Sequence, residues 1–438
     1  VREVDRQPFL GRISRKNLTP SIVETLQYRC RGTSDVRRYT EETPVQRVRF
    51  LFIGIFLLAA CATQKAPPQS ASDEQGQPSR EVLPRTIVTP EGAADVEELF
   101  RSAEEQAKSG DHAGAARSFD RLVRLDPDGP LVPEALQRAG IEHEQAGDRH
   151  TSLSRFEELG RRFPKHALGR EGLLRSIRLL CFLERWQRCG EASDMLLSRY
   201  TDLDPYESVV GLSGKALALV AKGDDEKATH FIEKGRTIIE DHQLDRAGAV
   251  PRDLAQLYFA LGETRRMRAE RIKFNPVPAN FAMVLEQRCQ LLLDAQSAYS
   301  DSMRAYDAHW SAMAGYRVGE LYQKLHEDVM AIPKPAGATT DAKKQLFEGA
   351  MRLRYSILLD KALSMMTHTL SMSKRTGENS SWVARAEEAR QKIERGIQAE
   401  KEALDKLPYT RADLQKALDD LQKKAEEEEK KKKDKAKR

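Results

Sequence analysis

The amino-acid sequence predicts an all-α fold, an α-solenoid of about six helical hairpins whose C-terminal half has longer helices. Three observations predict it. First, GDHAGAARSFDRLVRLDP (Gly110 to Pro127) and GDRHTSLSRFEELGRRFP (Gly147 to Pro164) agree in Gly-Asp, in a small residue, in Phe and in a closing Pro, each offset by 37 residues. A fixed period of that length marks a repeated pair of helices that buries its apolar face only by stacking on its neighbours. Second, from Asp95 the apolar residues recur at helical spacing, with Gly-Asp before a helix and Pro after it. Third, charged residues make up 32% of the chain and aromatics 6%, and Gly and Pro are scarce after residue 95, which suits a helical body with a mixed-charge exterior.

Taken in order, residues 1–44 are polar, contain Pro8, Pro20 and Pro44, and show no helical period. They read as a mis-called start or a disordered leader, with translation expected to begin at Val45 or Val48. Residues 45–60 contain two arginines, Arg47 and Arg49, and then the apolar run Phe50 to Ala60. That run is too short to span a bilayer, which takes about 20 apolar residues, and has the length of a secretory signal core. RVRFLFIGIFLLAAC resembles the signal peptide and lipobox of a bacterial lipoprotein, with Leu58, Ala59 and Ala60 before the cut and Cys61 after it. The bland alternative is a hydrophobic segment with a chance cysteine. The resemblance implies that Cys61 carries diacylglycerol and an acylated (palmitate-type) amino group. Ala62, not aspartate, follows, and by the family's sorting rule this implies the outer membrane, facing the periplasm. At about 0.8 kcal/mol per buried methylene, several acyl chains anchor a protein permanently. Residues 61–92, rich in Pro, Ser, Gln and Thr, read as a disordered tether.

The whole chain has 72 basic and 67 acidic residues, a net of +5, but residues 1–60 hold 11 basic and 6 acidic of these. The part from Cys61 onward is therefore formally neutral, with 61 of each. The net positive charge of the whole chain therefore says nothing of nucleic acid, whose binding needs clustered positive charge, and no nucleic-acid partner is expected. The cysteines are Cys30, Cys61, Cys181, Cys189 and Cys289, with no zinc-like spacing among them. Cys181 and Cys189 fall in one hairpin. Buried apolar thiols are the favoured reading, and a disulfide in an oxidising compartment is the other.

Residues 93–245 hold the regular repeats. A third copy, ERWQRCGEASDMLLSRY, puts Cys189 37 residues beyond Ser152, and a fourth, AKGDDEKATHFIEKG, puts Ala228 39 beyond Cys189. These residues resemble the tetratricopeptide repeat (TPR). Ala103 and Ala115, then Gly140 and Ser152, fill its close-packing places; Phe119 and Phe156 fill its aromatic place, and Pro127 and Pro164 close it. The sequence departs from the motif with Leu99, Leu136, Leu173 and Leu212 at the Trp place, Gln106 and His143 at the Tyr place, and Ile177 where a small residue belongs. Residues 246–380 form a modified region. YFALGETR (Tyr258 to Arg265) and GYRVGELY (Gly315 to Tyr322) read as first helices, with Gly262 and Gly319 at the close-packing place and NPVPAN and PKPAGATT delaying their partners. Residues 381–409 read as a capping helix, and 410–438 as a charged, frayed tail.

The chain shows no catalytic motif. HEDVM (326–330) lacks the second histidine of HExxH, GLSGKA (211–216) lacks the spacing of a phosphate loop, and no GxSxG occurs. No catalytic residue, metal, cofactor or small-molecule substrate is expected. In a TPR superhelix the residue just after the Trp place points into the concave groove. Here that row is Phe100, Gln137, Leu174, Ser213, Phe259 and Tyr316. Its apolar character makes Phe100, Leu174, Phe259 and Tyr316 candidates for a groove that takes an apolar or helical partner segment; inter-repeat core is the equal alternative. The resemblance implies a lipid-anchored scaffold that binds other envelope proteins. DAQSAYSDSMRAYDAHWSAMAGYRVGELY (294–322) is similar in texture to envelope lipoproteins of the gliding-motility apparatus. An assembly factor for outer-membrane proteins (pilotin-like or barrel-assembly-like) is the alternative, and a cell-wall-associated enzyme or binder with accessory repeats the second.

Overall fold

The computed structural model describes residues 90–245, 251–278, 280–335 and 338–420. Leu58, Ala59, Ala60 and Cys61, the tether up to residue 89 and the chain beyond 420 lie outside the described residues.

The described residues fold as consecutive antiparallel hairpins: α1 (Pro90–Lys108) with α2 (His112–Leu125), α3 (Val132–Gln145) with α4 (Arg149–Arg162), α5 (Ala167–Phe182) with α6 (Trp186–Arg199), and α7 (Pro205–Ala221) with α8 (Asp225–His242). Longer helices follow: α9 (Ala255–Arg271) with α10 (Phe281–Met303), then α11 (Ala308–Met330) with α12 (Asp341–Thr376), and finally α13 (Ser381–Asp405). Residues 411–420 are helical again. There is no strand among the described residues.

The repeat's punctuation has a direct physical role. Gly110, Gly147 and Gly223 take left-handed φ values of +86°, +86° and +82°, which a side chain resists. The aspartates that follow cap the second helices: Asp111 accepts from the Gly114 amide, Asp148 from Thr151 and Asp224 from Lys227. Phe119 and Phe156 are fully buried. A Cβ on Gly140 would lie 2.7 Å from the Phe156 ring, so the absent side chain is what lets α3 and α4 close together. The third hairpin forms in spite of Ile177 because α7 yields the space: a Cβ on Gly214 would lie 2.9 Å from the Ile177 side chain.

Each helix packs on the next, and first helices of successive hairpins also touch: α3 on α5, α5 on α7, α7 on α9, α9 on α11 and α11 on α13. Neighbouring second helices do not bring their backbones as close, and meet through long side chains, as Arg155 meets Asp120. The stack therefore curves with first helices on its inner side.

The modified half keeps the close-packing rule, with Gly262 against Tyr299 and Gly319 against Met366. The apolar stretch 281–332 holds two helices. It breaks after Met303, and Asp307 caps α11 by accepting from the Trp310 amide. The charged end also starts later than its composition suggests. Leu414 and Leu418 are buried, and Leu414 packs at Gly349, so 411–420 is held against α12. Cys181, Cys189 and Cys289 are buried free thiols.

Candidate functional site

The row of residues chosen from the sequence splits in two. Phe100 is half-buried and meets Phe119 edge-on at 5.3 Å, inside the first hairpin's own core. Leu174 is 5% exposed and belongs to the core, so the expected continuous apolar groove does not run through it. Phe259 is also a core residue by exposure (2%), held by Tyr299 at 5.5 Å and Trp310 at 5.4 Å, yet it forms part of the floor of a cavity of about 220 Å³. Tyr316 is half-buried and lines a second, more open cavity of about 310 Å³ with Glu320, Lys324, Glu327, Arg385 and Lys392. Both cavities lie along the inner row of first helices.

The smaller cavity is the more organised of the two. The α5–α6 turn supplies Glu184 and Trp186, α7 supplies Leu217 and Val220, α9 supplies Phe259, Glu263 and Arg266, α11 supplies Met313 and Arg317, and α13 supplies Trp382. The chain has three tryptophans. Trp186 and Trp382 line this cavity, and Trp310 supports Phe259 behind it. Trp382 is 2% exposed, with the Arg385 guanidinium 4.3 Å and the Arg317 guanidinium 5.0 Å from its ring centroid, and Tyr316 edge-on at 5.4 Å.

Glu263 is the electrostatic centre, and it is 5% exposed. Its carboxylate lies 2.8 Å from Arg266 Nη2 and 2.8 Å from Arg317 Nε, and Tyr299 donates its hydroxyl to it at 2.6 Å. Arg266 also meets Glu270 at 3.0 Å, and Arg317 meets Glu320 at 2.6 Å. Burial pushes the Glu263 carboxyl up, but Arg317 and Arg266 outweigh it and hold the group below the usual carboxylate range. Burial pushes the Tyr299 hydroxyl well above its ordinary value, and the Glu263 charge adds to this. The cluster is thus a set of paired charges that hold α9, α10 and α11 in register. It contains no nucleophile set against a base. Elsewhere among the described residues, no group of three His, Cys, Asp or Glu side chains is placed to hold a metal ion. His326 is 6% exposed, and burial lowers its pKa, which keeps the ring neutral.

The sequence reading missed that hairpin three reaches past hairpins four and five to touch the C-terminal elements. The Phe182 ring stacks on His309 at the start of α11, 3.7 Å between centroids, with the Arg149 guanidinium 4.3 Å from the same ring. His309 Nδ1 lies 3.3 Å from Glu378, and Arg385 of α13 lies 3.5 Å from Glu184. The hydrogen bond from His309, then that from Ser380, holds Glu378 down at about 2. A signal for this contact was present. Residue 184 is 37 after Gly147, yet it is Glu, and the capping Asp that should follow is Arg185. Glu184 still takes the left-handed conformation, φ 56°, and Arg185 makes no side-chain cap. A residue held where glycine belongs often marks a place with a task beyond folding.

No family model matches the chain, and no curated protein matches it. Among the solved structures similar to it are two repeat proteins. One is a tetratricopeptide repeat protein from Parabacteroides merdae ATCC 43184, 15% identical, covering 68% of this chain and 99% of that one with a TM-score of 0.36. The other is a circular tandem repeat protein with a novel repeat topology, 15% identical, covering 71% of this chain and 78% of that one with a TM-score of 0.18. The assignment of a repeat architecture rests on the hairpins themselves.

Proposed function

We propose that this chain is a lipid-anchored periplasmic scaffold of the outer membrane that docks other envelope proteins on the inner face of its helical stack. The observation that carries the docking half is the inner cavity. Trp186, Phe259, Met313 and Trp382 give it an apolar wall, and the charges beside it are already paired, which suits a protein side chain better than a substrate to be transformed. The anchoring half rests on RVRFLFIGIFLLAAC and Cys61. We assign no catalytic residue.

Crosslinking in intact cells followed by mass spectrometry tests the reading. Envelope proteins should be recovered crosslinked to the inner-face helices α7, α9 and α11. Recovery of none, with the stack still folded, would overturn it. The narrower assignment to a gliding-motility apparatus and the alternative of an outer-membrane assembly factor differ in partners. Motility proteins in the recovered set favour the first, and barrel-assembly or secretin proteins the second. Cys61→Ser should move the protein from the membrane to the soluble periplasmic fraction; an unchanged distribution would refute the anchor.

A further inference from the structure

Hairpin three differs from its neighbours in carrying two thiols. Cys181 is the penultimate residue of α5 and Cys189 the fourth of α6, with three residues between the helices. Both are fully buried. Cys189 fills the close-packing place of the second helix, the one held by Ala115 and Ser152 in the copies before it. Its Sγ lies 3.8 Å from the Ile177 carbonyl oxygen. Ile177 precedes Cys181 by four residues, so the two share one stripe of α5, and in an α-helix that carbonyl is the partner of the Cys181 amide. The Cys189 sulfur therefore rests on the α5 surface beside the Cys181 side chain. Burial pushes the Cys181 thiol well above its ordinary value, and the neighbouring Cys189 thiol adds to this. Cys289 lies in α10, outside this hairpin, and burial pushes its thiol up to about 12.

We propose that Cys181 and Cys189 form a disulfide across hairpin three in the mature protein. The proposal rests on the periplasmic reading above for its oxidant, a protein or glutathione disulfide. Each cysteine gives up its thiol proton, one S–S bond forms between Cys181 and Cys189, and the oxidant's S–S bond takes the two electrons and becomes two thiols. Because both sulfurs are sealed in the fold, exchange takes place while the hairpin closes. The bond staples the one turn in this half that lacks both its glycine and its aspartate cap. That turn carries Glu184 and Trp186 to the inner cavity.

Trypsin makes the test direct. It cuts after Arg178, Arg185, Arg188 and Arg199, so Cys181 and Cys189 fall in the separate peptides LLCFLER and CGEASDMLLSR. The protein is refolded from urea in an oxidised-glutathione buffer, remaining thiols are alkylated, and the digest is weighed with and without reductant. The expected result is the two peptides joined, two hydrogen atoms lighter than their sum, and separated by reductant. The bond should also raise the melting temperature by about 5 °C over the reduced protein, a difference that Cys181→Ala and Cys189→Ala each abolish and Cys289→Ala keeps. Full alkylation of both peptides after refolding would overturn the proposal and leave the scaffold reading untouched. The same digest of protein taken from cells with thiols trapped at lysis separates the two ideas. Joined peptides there support both. Joined peptides in the refolded protein but free thiols in cells would refute the bond in the cell and the oxidising compartment together.

Discussion

The four regular hairpins and the longer helices that follow are held together by different polar arrangements. In the regular half, side chains reach from one repeat to the next at almost the repeat spacing: Arg138 to Glu104, Gln137 to Glu171, Arg155 to Asp120 and Arg170 to Glu207 are separated by 34, 34, 35 and 37 residues. A different pair bridges each step, mostly near water, where each pair contributes little alone. In the C-terminal half the contacts converge. Arg266, Arg317 and Tyr299, from three helices, all meet the one buried carboxylate of Glu263. A repeat spreads its stability along the stack. A converging cluster concentrates it at one point, and that point is also the wall of the inner cavity.

The largest way to break this difference is Glu263→Gln. It leaves the half-buried Arg266 and Arg317 with only Glu270 and Glu320, so the loss should fall at or below the lower end of the about 3–5 kcal/mol that breaking a buried pair costs. Urea unfolding should show that loss, and hydrogen exchange should place it in α9 to α11 while α1 to α4 keep their protection. Loss shared by both ends would mean that the stack behaves as one unit. A smaller effect tests what the halves have in common. Gly140→Ala puts a methyl 2.7 Å from Phe156, and Gly262→Ala puts one 2.5 Å from Tyr299. Each should cost about 1–3 kcal/mol by overpacking, seen as a lower urea midpoint. Similar values would show that one packing rule serves both halves; a harmless Gly262→Ala would confine the rule to the first.

How legible the molecule was follows the same division. Gly110, Asp111, Phe119 and Pro127 repeat 37 residues on because each has one local task, and a local task leaves a mark in sequence. The hairpins of the first half could be read from those marks. Beyond residue 250 Gly262 and Gly319 still announced helix pairs, but no glycine or proline marks where the break after Met303 falls. The inner site was half legible. Spacing found Phe259 and Tyr316, because a superhelix turns equivalent positions the same way. It also selected Leu174, which is core, because spacing does not say how tightly two particular helices close. Glu263, Arg317 and Trp382 come together from different repeats, and no period connects them. The departure at Glu184-Arg185 was visible against Gly-Asp, and it pointed at the turn without naming what the turn touches.

Acid should loosen the contact between hairpin three and the C-terminal elements. Glu378 sits at about 2 because His309 and Ser380 hydrogen-bond its charged form. A carboxyl depressed by folding contributes stability above its unfolded pKa, and that contribution is lost as pH falls from about 4.5 through about 2. Trp186, Trp310 and Trp382 all lie at or behind the inner cavity, so intrinsic fluorescence reports this region alone. A fluorescence transition is expected in that window, and Glu378→Gln should remove the part of it that depends on titration. A transition unchanged in the variant would assign it to other carboxylates.

The smallest expected effect decides what the odd turn is for. Glu184→Gly restores the residue that the other turns use, relieving a left-handed conformation that disfavours a side chain by about 1 kcal/mol. It also removes the ion pair with Arg385, whose two side chains are 27% and 44% exposed, and such pairs contribute about 0–1 kcal/mol. The two changes nearly cancel in total stability, so the melting temperature should hardly move. Exchange should move in opposite directions: slower at the α5–α6 turn, where strain is gone, and faster at 378–385, where the contact is lost. Arg385→Ala should reproduce only the second change. If Glu184→Gly stabilises the turn and leaves the start of α13 as protected as before, Glu184 does not hold α13 in place. Hairpin three would then be a regular member of the repeat with one imperfect residue.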